Sequence, residues 1–138
     1  MFGDSEQLEK LFLQARSYAS AKNWEQAALA YQQLLETSND LPTPLLKLTA
    51  TVYRADCLVQ QELFEQAQKL LEDSEIIELS AHLEKTPINV EYHMVYAHSI
   101  SNSASAEKID YHLKTAFKLA QNFNDLNQIE SVLTTILY

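Results

Sequence analysis

The chain is 138 residues long, enough for one domain with a core of its own. It holds one glycine and three prolines, too few for the many tight turns of a hairpin-rich β sandwich or barrel, and no glycine-rich phosphate loop can be written from it. Nineteen acidic against ten basic residues give a net charge of −9, which repels phosphate backbones and argues against nucleic acid as a partner.

The apolar spacing is helical almost throughout. Leu8, Leu11, Phe12, Ala15 and Tyr18 stripe a first helix, with Asp4 or Ser5 available to cap its start. Lys22-Asn23 makes a short break. Trp24, Ala27, Ala28, Tyr31, Leu34 and Leu35 mark a second helix, and the polar and proline-rich run from Thr37 to Pro44 reads as a loop. Val52, Ala55, Leu58 and Val59 define a third helix. Phe64, Ala67, Leu70 and Leu71 define a fourth, which either continues towards Leu83 or breaks near Asp73-Ser74. Thr86-Pro87 ends that segment and Asn89 is placed to cap the next. Met94, Ala97 and Ile100 line a fifth helix, and Ser101 to Ser105 form a polar break. Ile109, Leu113, Ala116, Phe117 and Ala120 stripe a sixth. After the turn Asn122–Asp125, Leu126, Ile129, Leu133, Ile136 and Leu137 stripe a seventh.

The first two helix pairs repeat one another. Ala15, Tyr18 and the run Trp24-Glu25-Gln26-Ala27 return 40 positions later as Ala55, Leu58 and Phe64-Glu65-Gln66-Ala67. A third unit follows after a further 42 positions, with Ala97, Ile100 and then Leu113 and Ala116. Small residues recur where two helices would cross closely.

This pattern resembles the tetratricopeptide repeat, in which a small residue stands mid-way along a first helix and an aromatic–small–aromatic series along a second. Leu11, Ala15, Tyr18, Trp24, Ala27 and Tyr31 match its signature positions in unit one, and Ala55, Leu58, Phe64, Ala67 and Leu71 in unit two. Unit three departs from the pattern in placing Ile109 where alanine is usual. The resemblance implies an all-α fold of about seven helices, built as antiparallel hairpins stacked into a right-handed superhelix. The units are repeat one over 5–38, a loop over 39–46, repeat two over 47–86, repeat three over 89–121 and a terminal helix over 125–138. The stretch Leu34–Val59 is also loosely similar to N-terminal repeats of anaphase-promoting-complex subunits.

By that register the inner groove presents Glu9, Phe12, Leu13, Arg16 and Ser20 from unit one. Unit two supplies Thr49, Val52, Tyr53, Asp56 and Gln60, and unit three Glu91, Met94, Val95, His98 and Asn102. Phe12, Arg16, Tyr53, Asp56, Met94 and His98 are the partner-binding candidates, with Phe12, Tyr53 and Met94 as apolar anchors. The family's chaperone-binding members clamp a terminal carboxylate with basic and amide side chains. The matching positions here are Phe12, Arg16, Tyr53, Glu91 and Val95, so that clamp is missing. Arg16 and Asp56 are placed to form an ion pair between repeats.

No catalytic or metal-binding constellation emerges. His82, His93, His98 and His112 form no H-E-x-x-H motif; His93 and His98 fall on different helix faces, and Glu78–His82 offers two ligands where zinc sites usually need three or four. Carboxylate neighbours such as Glu72-Asp73 diverge around a helix. The single cysteine, Cys57, allows no intrachain disulfide and reads as a buried thiol in a reducing compartment. The N-terminus lacks a signal-peptide pattern and no apolar run approaches a bilayer span, so the expected location is cytoplasmic, or nuclear in a eukaryote.

The segment Ser131–Tyr138 is apolar to its end. Val132, Leu133, Ile136, Leu137 and Tyr138 are candidates for an assembly surface, unless they fold back over unit three or lead into further repeats. The expected function is a non-enzymatic interaction module, without cofactor or metal, that holds a peptide or partner helix. The alternatives are a self-associating subunit of a large assembly such as the anaphase-promoting complex, and a bacterial chaperone or peptide-sensing domain.

Overall fold

The computed structural model describes residues 2–37, 44–103, 105–123, 128, 129 and 132. Within them the chain is all-α, with helices α1 (Phe2–Ser20), α2 (Trp24–Thr37), α3 (Pro44–Gln60), α4 (Phe64–Leu71), α5 (Ser74–His82), α6 (Ile88–Ser99) and α7 (Ala106–Phe123). No helix among the described residues is long and apolar enough to cross a membrane.

Neighbours in sequence pack as neighbours in space. Helix α2 lies between α1 and α3, and α3 also meets α4, α5 and α6, while α7 packs on α6. The crossings are made by alanines: Ala15, Ala27, Ala55 and Ala67 are fully buried, so the backbones approach closely without the entropic cost that glycine brings to a helix interior. Leu34, Leu48, Val52 and Leu71 fill the space beside them. This main core runs from Leu8 to Ile100. A second, smaller cluster joins Val90 and Met94 of α6 to Ala116, Leu119 and Ala120 of α7, with Val132 buried against them.

The two breaks 40 positions apart are the same turn. After α1, Asn23 N–H donates to Tyr18 O at 2.8 Å and Lys22 N–H to Ala19 O at 3.0 Å. After α3, Leu63 N–H donates to Leu58 O and Glu62 N–H to Val59 O, both at 2.9 Å. These paired bonds are Schellman closures, and each puts one residue into the left-handed region: Lys22 at φ 62° and Glu62 at φ 63°. Glycine is the usual occupant of that position. A chain with one glycine fills it with a lysine and a glutamate and accepts the steric cost.

Several local expectations are corrected. Helix α1 starts at Phe2, so Asp4 and Ser5 lie within it rather than at its cap. Helix α3 begins at Pro44, where proline's fixed φ suits a first turn, so the loop assigned to 39–46 ends three residues early; positions 39–43 lie outside the described residues. The segment after Leu71 breaks: Asp73 caps α5 by accepting from Glu75 N–H at 3.0 Å. Pro87, not Asn89, precedes α6. Asn89 is inside the helix and buried, where its side chain accepts a hydrogen bond from Ser80 Oγ of α5. A buried amide without such a partner would be costly, so this bond pins α5 to α6.

Candidate functional site

A cavity of about 350 Å³ opens where α1, α2, α3 and α6 come together. Helix α1 supplies Arg16, α2 Trp24 and Tyr31, α3 Tyr53, Asp56 and Cys57, and α6 Glu91. Tyr53 and Asp56 are three apart on α3 and so share a face. Their setting is fixed from behind by an aromatic trio: Phe12, Tyr31 and Tyr53 have ring centroids 5.9 to 6.2 Å apart, two of the three pairs edge-on. Burial drives the Tyr31 hydroxyl far above its ordinary pKa, so it stays neutral.

Arg16 lies over the Tyr53 ring, its guanidinium carbon 5.5 Å from the centroid, and donates from Nη1 to Tyr53 Oη at 3.5 Å. The expected Arg16–Asp56 ion pair is not formed. The ion pairs among the described residues are Lys47–Glu75, Lys108–Glu72 and Lys114–Asp110. Asp56 and Glu91 therefore face the cavity with amide partners, Gln60 and Gln128 respectively. Burial raises both carboxyls above the usual range, and the Asp56 charge adds to the effect on Glu91. His98, half-buried nearby, offsets part of the Asp56 shift.

Of the partner-binding candidates, Arg16, Tyr53 and Asp56 line this cavity, Phe12 supports it from behind, and His98 acts on it through Asp56. Met94 does not belong with them. It is buried in the α6–α7 cluster, as Val52 and Val95 are in the main core, because a helix packed on two sides has little free face left. Val132 is likewise buried within the chain and not on an assembly surface; Leu133, Ile136, Leu137 and Tyr138 lie outside the described residues. Cys57 is buried, and desolvation with the nearby Asp56 charge pushes its thiol up to about 12, far from a reactive thiolate.

A second cavity, about 420 Å³, lies where α5, α6 and α7 meet. It holds a pair that sequence reasoning missed: His93 and His112, with Nδ1 atoms 2.9 Å apart. The Tyr96 ring stacks on His112 at 4.4 Å, and the Tyr96 hydroxyl donates to Glu72 Oε1 at 2.7 Å. One imidazole must donate and the other accept, so the pair is satisfied while neutral and resists a second proton. Desolvation depresses both, His93 to about 4, and Lys108 adds to the effect on His112. A signal for the pair was present. His93 stands seven residues before Ile100 and His112 seven after Ser105, so an antiparallel hairpin brings them abreast. No group of three or more metal-binding side chains occurs among the described residues.

Comparison of the chain with known proteins found no matching family model, no similar curated protein and no similar solved structure.

Proposed function

We propose that this protein is a non-enzymatic interaction module of tetratricopeptide-like construction, which holds a peptide or partner helix at the cavity between α1, α2, α3 and α6. The observation that carries this reading is the convergence of Arg16 of α1 with Tyr53 and Asp56 of α3, assigned to one groove by repeat register, around one open cavity. Ligand sites are typically concave, largely apolar and edged by a few polar groups, and aromatic and arginine side chains are the usual anchors of protein contacts.

Trp24 is the chain's single tryptophan and lines the cavity, so its emission is a direct reporter. Random dodecapeptides displayed and selected against the folded chain are expected to yield binders that shift Trp24 emission. Their Kd is expected to rise about tenfold or more in the Arg16→Ala/Tyr53→Ala variant, the loss typical of removing two anchor side chains. Failure to recover any binder, or binders indifferent to the double substitution, would overturn the reading.

A further inference from the structure

The cavity carries two carboxylates against one guanidinium, and that guanidinium is already laid on an aromatic face. Asp56 and Glu91 come from different helices, α3 and α6, so their approach is made by the fold and not by local spacing. Neither has a cationic side chain at ion-pair distance among the described residues; both rely on neutral amides. Partly buried carboxylates with no ion-pair partner are costly to ionise; His98 offsets only part of this for Asp56, and a cation delivered from outside is the group that relieves both. Trp24 lines the surrounding wall and offers both apolar surface and a π-face, whereas the Tyr53 ring is already covered by Arg16 and Phe12. Lysine and arginine carry a methylene stem that packs on such surface and a charged head that reaches past it.

We propose that the cavity takes a lysine or arginine side chain of a partner protein, its stem against Trp24 and its head between Asp56 and Glu91. This rests on the interaction-module reading and inverts the charge of the clamp that chaperone-binding repeats use. The chain's net charge of −9 steers a basic partner towards it and makes association fall with added salt.

The test uses the full chain, ¹⁵N-labelled, and two small probes that share a four-carbon side chain and differ in the terminal ammonium: N-acetyl-lysine methylamide and N-acetyl-norleucine methylamide. The lysine probe is expected to shift the Trp24 indole and the amides around Tyr53 and Asp56 saturably in the millimolar range. The norleucine probe should bind at least about fivefold more weakly, the difference a charge-assisted contact makes. The isosteric Asp56→Asn/Glu91→Gln variant should erase that preference while keeping its helical circular dichroism. Equal binding of the two probes, or no saturable shift with lysine, would overturn the proposal even if that variant failed to fold. If selected peptides bind the cavity and the lysine probe has no advantage, this inference falls alone; if no peptide is ever selected, the interaction reading falls by its own test.

Discussion

The hairpins α1/α2 and α3/α4 and the hairpin α6/α7 solve the same packing problem by different chemistry. In the first two, alanines at the crossings bring the helices together, and a Schellman turn with one left-handed residue closes each. In the third, Ala97, Ala116 and Ala120 are buried too, but part of the seam is a stack of imidazole and phenol rings, His93, His112 and Tyr96. Its connector makes no positive-φ turn among the described residues. An alanine seam has no titratable group and is indifferent to pH. A buried imidazole seam costs stability when its bases take up protons.

The sharpest way to break the contrast is to remove what the two alanine-sealed hairpins share. Tyr31 is 2% exposed and touches Phe12 and Tyr53. Tyr31→Ala should cost about 3–5 kcal/mol, the range for deleting a large buried aromatic, read as a fall in the urea midpoint with an unchanged slope. Ala55→Leu should follow at about 1–3 kcal/mol, because a fully buried crossing has no room for added methylenes.

The histidine seam should respond to pH. Both imidazoles have depressed pKa values when folded, so below about 6.5 the unfolded chain takes up protons that the folded one refuses. Stability is therefore present above that pH and is lost as pH falls towards about 4. Asp56 and Glu91, raised by burial, act with the opposite sign at the acid end, so the comparison needs a reference. Between pH 7 and 5.5, wild type should lose about 1 kcal/mol more than the His93→Gln/His112→Gln variant in urea titrations. Equal losses would show that the stack does not govern the seam. The smallest effect sharpens the turns: Lys22→Gly and Glu62→Gly should each raise stability by about 0.5–1 kcal/mol, whereas Lys85→Gly, where no left-handed φ is required, should not.

Much of this was legible along the chain. Helical periodicity located the seven segments that the structure describes up to Phe123 only by splitting the fourth at Asp73-Ser74, one of two alternatives left open. The 40-residue recurrence marked two crossings, while the matching turns after α1 and α3 emerge only in the structure. What spacing does not carry is lateral packing. Met94 occupies a groove position by register, yet α7 and Val132 cover it. Asn89 reads as a cap from the preceding Thr-Pro, yet it is the second residue of α6, where Ser80 of α5 satisfies it. The partner of each is set by a helix elsewhere in sequence, and a one-dimensional period has no term for it. Arg16, Tyr53 and Asp56 line one cavity, as their shared groove register implied, because repeat register is itself a lateral rule. Glu91 came through the same rule, as a position where a familiar clamp was missing.

Cys57 has a use that none of its contacts states. It is the only thiol in the chain, is 2% exposed, and sits on α3 beside both the cavity and the main core. With its pKa near 12 it is silent towards alkylating reagents while the helices are closed. Any labelling at neutral pH must pass through an opening that frees it, so the alkylation rate is an internal clock for the breathing of α3 against its neighbours. A guest seated against Trp24 and Asp56 should slow that clock, and denaturant should speed it.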